Sequence, residues 1–125
     1  MNRAAPYQLK AFSNEVKVVL GSFETQSDGT ISGTGNISGN GLLSVEKSAE
    51  GRYKVHLKDT WYALAGAPVI SFLAAVQDSS PYVAAEDVDS ATDPYITIGF
   101  HAAGSDADIN SAKVLMTLFL KNSAY

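Results

Sequence analysis

The stretch Arg52–Asp59, RYKVHLKD, places the tightest limit on what this chain can fold into. Tyr53, Val55 and Leu57 alternate with Lys54, His56 and Lys58. A period of two puts the apolar side chains on one face of an extended chain and the basic ones on the other, as a half-buried β-strand requires. The preceding run Leu42–Lys47, LLSVEK, has the same character, and SAEG joins the two. Gly51 can take positive φ there, so the pair reads as a hairpin.

Other segments extend the pattern. Glu15–Phe23 places Val16, Val18 and Leu20 on one face, and Tyr95–Ala102 does the same for Ile96, Ile98 and Phe100. Val69–Val76 reads as a further strand. Lys113–Lys121, KVLMTLFLK, is apolar on both faces, which predicts a central strand or one covered by a partner. Asp59–Gly66 breaks the alternation. It is expected to form one helical turn, capped by Asp59 or Thr60, carrying Trp61 and Leu64 and ended by Gly66. Asp78–Pro94 reads as a long polar loop with two prolines, and Ser105–Ala112 as an acidic loop.

With no long amphipathic helix and no internal repeat, these signals predict an all-β fold. The expected form is an antiparallel β-sandwich or small β-barrel of about six strands with one short helical turn. The 125 residues suit one domain, residues 15–125. Residues 1–14 are polar, carry Pro6 and show no period, so they read as an extended arm that ties down on a neighbouring subunit. The expected core is Val16, Val18, Leu20, Val45, Tyr53, Val55, Leu57, Trp61, Leu64, Phe72, Ile96, Ile98, Phe100, Leu115 and Leu118.

Charge narrows the functional classes. The net charge of −4 argues against a nucleic-acid partner held through phosphates. Only 18% of residues are charged, a depletion that fits a surface meeting other protein. From Thr60 to Ala112 there is no Lys or Arg, but there are Asp78, Glu86, Asp87, Asp89, Asp93, Asp106 and Asp108. Lys47, Arg52, Lys54 and Lys58 cluster just before. Such asymmetry reads as a solvated acidic face or as a means of steering a partner. There is no cysteine, hence no disulfide and no thiolate chemistry. The first residues have no apolar core of signal-peptide length and no run reaches transmembrane length, so synthesis in a cytoplasm and no membrane partner are expected.

Catalytic and cofactor signals are weak. Gly33, Gly35 and Gly39 form G-x-G-x-x-x-G, but strand-like LLSVEK follows where a dinucleotide or phosphate loop needs a helix. The run reads as a flexible β connection. Asp87, Asp89 and Asp93 lack the glycine and the twelfth-position carboxylate of a calcium loop. His56 and His101 are the only histidines, too few for a zinc site. His101 with Asp106 or Asp108 and Ser105 lacks the geometric warrant a triad needs. Trp61 and Tyr62 suit sugar stacking, or the plugging of an open end of the β structure. The expectation is a protein that is not an enzyme, with no catalytic residue, no metal and no cofactor.

One segment carries a resemblance. In GNGLLSVEKSAEGRYKVHLKDTWYALAG, a glycine-rich entry leads to Gly41, Ser44, Val45 and Lys47, then to Gly51, Tyr53, Val55, Leu57, Asp59, Trp61 and Leu64. This resembles small structural proteins of tailed bacteriophages. The end, LMTLFLKNSAY, is similar to their terminal strand through Lys121, Asn122 and Ser123. Trp61 stands where that pattern more often has tyrosine, and the long acidic loop is a departure. The resemblance implies a non-enzymatic virion component, a decoration (cement) protein on the capsid surface. It implies the major capsid protein and further copies of itself, as dimer or trimer, as partners. The alternatives are a phage tail or fibre-base module and a carbohydrate-binding β-sandwich. Expected partner contacts are Tyr7, Leu9 and Phe12 in the arm, and Tyr82, Asp87 and Asp89 in the acidic loop.

Overall fold

The computed structural model describes residues 16–31, 37–73 and 78–122. The arm, with Tyr7, Leu9 and Phe12, lies outside the described residues, as do Gly33 and Gly35. Ten strands are described: β1 (Val16–Glu24), β2 (Ile37–Ser38), β3 (Leu42–Ala49), β4 (Arg52–Leu57), β5 (Ala63–Leu64), β6 (Val69–Leu73), β7 (Ser80–Asp87), β8 (Tyr95–Ala102), β9 (Ser105–Asp106) and β10 (Lys113–Lys121). They form two antiparallel sheets packed as a β-sandwich. Sheet A runs β2–β1–β10, and the far edge of β10 is shared by β6 and, at its C-terminal end, β5. Sheet B runs β3–β4–β8–β7, with β9 also on β8.

Alternation carries the core. Tyr53, Val55 and Leu57 of β4 and Ile96, Ile98 and Phe100 of β8 point inward from sheet B and are buried, as expected. Val114, Met116, Leu118 and Leu120 of β10 meet them from sheet A. Phe23 and Tyr53 pack across the sheets with ring centroids 5.7 Å apart, as do Phe72 and Phe100. Trp61, Leu64 and Phe72 are half-buried against this cluster.

Strand β1 reverses the expected face. Its register sets Val19 against Leu118, Gly21 against Met116 and Phe23 against Val114, so the odd-numbered residues point inward. Val18 and Leu20 are 57% and 63% exposed and belong to the outer face with Val16. The inward face is disguised in the sequence because its middle position is glycine. The side chain of Leu42 fills the place where a Cβ on Gly21 would sit. Leu115 also turns outward, since a period of two cannot put it on the same face as Leu118.

Two further expectations are corrected. Asp59–Gly66 forms no helical turn. Trp61 N–H donates to Val88 O, while Tyr62 N–H donates to Lys121 O and Ala65 N–H to Phe119 O on β10 of the same sheet, and the segment supplies β5. Asp78–Pro94 is not a continuous loop, because it contains β7. Pro81 hid this strand, and proline is tolerated there because β7 is an edge strand. The strand expected over Val69–Val76 is seen to Leu73, and its remainder lies outside the described residues.

The β3–β4 hairpin is clamped by the β9–β10 connection. Gly51, at φ 71°, donates its N–H to Asp108 Oδ1 at 2.7 Å and accepts from Phe100 N–H. Lys47 Nζ reaches Asp108 Oδ2 at 2.6 Å. A Cβ on Gly51 would stand 2.5 Å from Ala107 N, whereas one on Gly104, also at positive φ, would meet nothing. Gly51→Ala should therefore cost at least about 2 kcal/mol and clearly more than Gly104→Ala, because strain is shared but crowding is not. The buried Tyr53 hydroxyl donates to Gly29 O at 2.7 Å, and burial pushes its pKa up to about 12. Tyr53→Phe should cost about 1–2 kcal/mol. Urea denaturation of the three variants checks both statements, and equal costs for the two glycine variants would contradict the clamp.

Candidate docking face

The two outer faces of the sandwich differ in kind. That of sheet B carries mostly polar side chains, and several of its charges pair within the molecule. Arg52 Nε donates to Asp106 Oδ2 at 2.8 Å, Lys47 pairs with Asp108, and Lys54 Nζ lies 3.8 Å from Asp93 and 4.1 Å from the centre of the Tyr95 ring. The basic run and the acid-rich segment, separate in the sequence, thus meet in space through the antiparallel pairing of β4 with β8.

Two clusters organise this face. Asp106 accepts from the Tyr82 hydroxyl and from Arg52, which hold its carboxyl down at about 2. His101 Nδ1 lies 3.4 Å from the same carboxylate. The Tyr82 ring covers Gly99, where a Cβ would come within 2.5 Å of it. Among the described residues no serine or threonine hydroxyl is hydrogen-bonded to His101. At the other cluster, His56 Nδ1 lies 2.8 Å from Asp93 Oδ1 and Nε2 lies 2.9 Å from Glu46 Oε1. Both ring nitrogens can donate only as imidazolium. Desolvation pulls the His56 pKa down, but the hydrogen bonds to Glu46 and Asp93 outweigh it and the net shift is upward.

Sheet A presents the opposite surface. Val16, Val18 and Leu20 of β1, Leu115, Thr117 and Phe119 of β10, and Val69 and Leu73 of β6 all face outward. Rows of the register join them: Val18 lies opposite Phe119, and Leu20 opposite Thr117, which in turn lies opposite Val69. Val69 and Leu73 are 55% and 46% exposed. Charge stands only at the ends of β10. Lys113 is 4.0 Å from Glu24, and Lys121 lies over the Tyr62 ring. An apolar surface of this kind is a candidate interaction face.

Tyr82 and Asp87, expected as partner contacts, belong to β7 of sheet B. Tyr82 sits at the Asp106 cluster on sheet B. Asp87 ends β7, and its carboxyl is raised by a hydrogen bond with Asp89 and by desolvation. Tyr82 also lines a pocket together with Val69 and Ile70 of β6. The sequence disguises the apolar face of sheet A because Gly21 hides the parity of β1, although the two-sided apolar run Lys113–Lys121 signals it. Among the described residues no group of three or more His, Cys, Asp or Glu side chains is placed to hold a metal ion, and no helix is long and apolar enough to cross a membrane. No protein-family model matches the chain, and neither a curated protein nor a solved structure matches it.

His56 supplies a pH signature. Its folded pKa is raised, so its contribution to stability is fully present below the unfolded value of 6.5 and is lost as pH rises through the higher folded value. The wild-type protein should therefore lose stability across that window, and His56→Gln should flatten the loss. Chemical denaturation between pH 5 and 9 measures this, and parallel profiles for the two proteins would rule it out.

Proposed function

We propose that the protein is a non-enzymatic virion structural protein that decorates and stabilises a bacteriophage capsid by binding the major capsid protein lattice. The observation that carries the proposal is the uncovered apolar outer face of sheet A. A sandwich free in water normally keeps its outer faces polar. Here one face carries paired charges and an acidic cluster at Asp87 and Asp89, while the other is built like an interface core. The sequence resemblance supports the same reading. Its matched residues Val45, Tyr53, Val55 and Leu57 form the core of the β3–β4 hairpin, Gly51 its turn, and Lys47 its clamp.

Binding to the assembled lattice and not to free subunits stabilises a shell by mass action, and repeated contacts add avidity. Covering the half-exposed Val18, Leu20, Val69 and Leu73 at about 1 kcal/mol each contributes on the order of 4 kcal/mol, roughly a thousandfold in affinity. The double variant Val18→Glu/Leu20→Glu places charge where no core contact is lost. It should fold with unchanged melting temperature and occupy purified heads at least tenfold less than wild type. Quantitative gels of purified virions measure both copy number and occupancy. Hundreds of wild-type copies per head are expected. A few copies would indicate a tail or fibre-base part, and unchanged occupancy of the variant would remove the apolar face from the account.

A further inference from the structure

Strand β1 has an open edge as well as an apolar face. Strand β2 pairs with it only at Ser22 and Phe23, and the chain at Gly39 closes on the Leu20 carbonyl. Among the described residues no strand pairs with Val16–Val19 on the side away from β10. This edge forms one wall of a groove of about 470 Å³. Lys17–Leu20 line one side, and Asn40, Gly41, Asp59 and Trp61 the other. Gly41 permits the close approach, since its Cβ would stand 2.5 Å from Val19 Cγ1. The edge on the opposite side of the sandwich is guarded. Strand β7 carries Pro81, a register shift between Val83 and Ala85, and the carboxylates Glu86 and Asp87. These are the devices that keep edge strands from pairing. Val16–Val19 has only Lys17.

We propose that this groove receives the segment Tyr7–Phe12 of a second copy of the chain as an added strand. Fifteen residues precede Val16, and within them Tyr7, Leu9 and Ala11 alternate with Gln8 and Lys10, a strand-compatible period. Strand addition gives backbone pairing along the edge, with alternate side chains entering the groove. Lys10 is the one cation of the segment, and Asp59 the one carboxylate lining the groove. Folding back onto its own β1 would require a tight reversal through Ser13–Glu15. No glycine occurs before Gly21 to supply the positive φ that tight hairpin loops favour. The proposed route is to a neighbour, an exchange of identical elements between copies. The inference holds whichever surface the apolar face of sheet A meets.

The absence of cysteine makes the test direct. Leu9→Cys is placed in one copy, extended by a tag so that its length differs. Val18→Cys, or in a second trial Lys17→Cys, is placed in an untagged copy. Both acceptor positions lie at the surface, and circular dichroism confirms that each protein is folded. The mixed proteins are oxidised and separated on a non-reducing gel, and the linked peptides are identified by mass. A linkage from residue 9 to residue 17 or 18, joining the tagged to the untagged chain, is expected, and it should vanish when residues 2–8 are removed from the tagged copy. A linkage that forms only when both cysteines are in one chain overturns the proposal in favour of the chain's own segment. Absence of any such linkage overturns it outright.

Discussion

Strand β10 is apolar on both faces, and a two-layer sandwich can bury only one of them. Val114, Met116, Leu118 and Leu120 take the inner face and become the floor of the core. Leu115, Thr117 and Phe119 are left on the outside by the period of two. Neighbouring strands follow the same division. Val18 and Leu20 on one side, and Val69 and Leu73 on the other, extend the outward row because antiparallel pairing keeps facing residues on the same side of the sheet. The apolar exterior of sheet A is thus a consequence of where the most hydrophobic strand sits, in the middle of its sheet.

Sheet B resolves its outer face differently. The sequence concentrates bases in β3 and β4 and acids between Asp78 and Asp108. Antiparallel pairing of β4 with β8 folds one group onto the other, with Asp93, Asp106 and Asp108 each meeting a cation. Surface pairs of this kind contribute little individually to stability. Asp108 is the exception in consequence, because the same carboxylate also takes the Gly51 N–H and so joins the hairpin turn to the chain that leads into β10. The hairpin and the central strand of the opposite sheet are coupled through one side chain.

Much of the fold was legible in the sequence. Arg52–Leu57, Tyr95–Ala102 and Lys113–Lys121 were bounded closely because alternation and turn residues agreed. The sandwich class followed from the absence of helical periodicity. What was not legible had local causes. Gly21 removed the side chain that would have revealed the inward parity of β1. Pro81 masked an edge strand, and the donors of Asp59–Gly66 found partners on β10 and at Val88, leaving no helical turn. For the docking face, the doubled apolar pattern of Lys113–Lys121 pointed to a covered strand, but which side stayed open depended on the register of β1 and β6 against it. Within the glycine run, Gly39 and Gly41 are explained by close packing, since they press against Leu20 and Val19.

The central claim is that the outer face of sheet A is covered by protein while that of sheet B is not. Lysine acetylation, compared between the free protein and the protein on its assembled particle, tests this most directly. Lys113 and Lys121 stand at the two ends of the apolar face, and Lys58 lies at the end of β4 in sheet B. The account predicts that assembly protects Lys113 and Lys121 several-fold while Lys58 reacts at its free rate. Equal labelling of Lys113 and Lys121 in both states, or protection confined to Lys58, would contradict it.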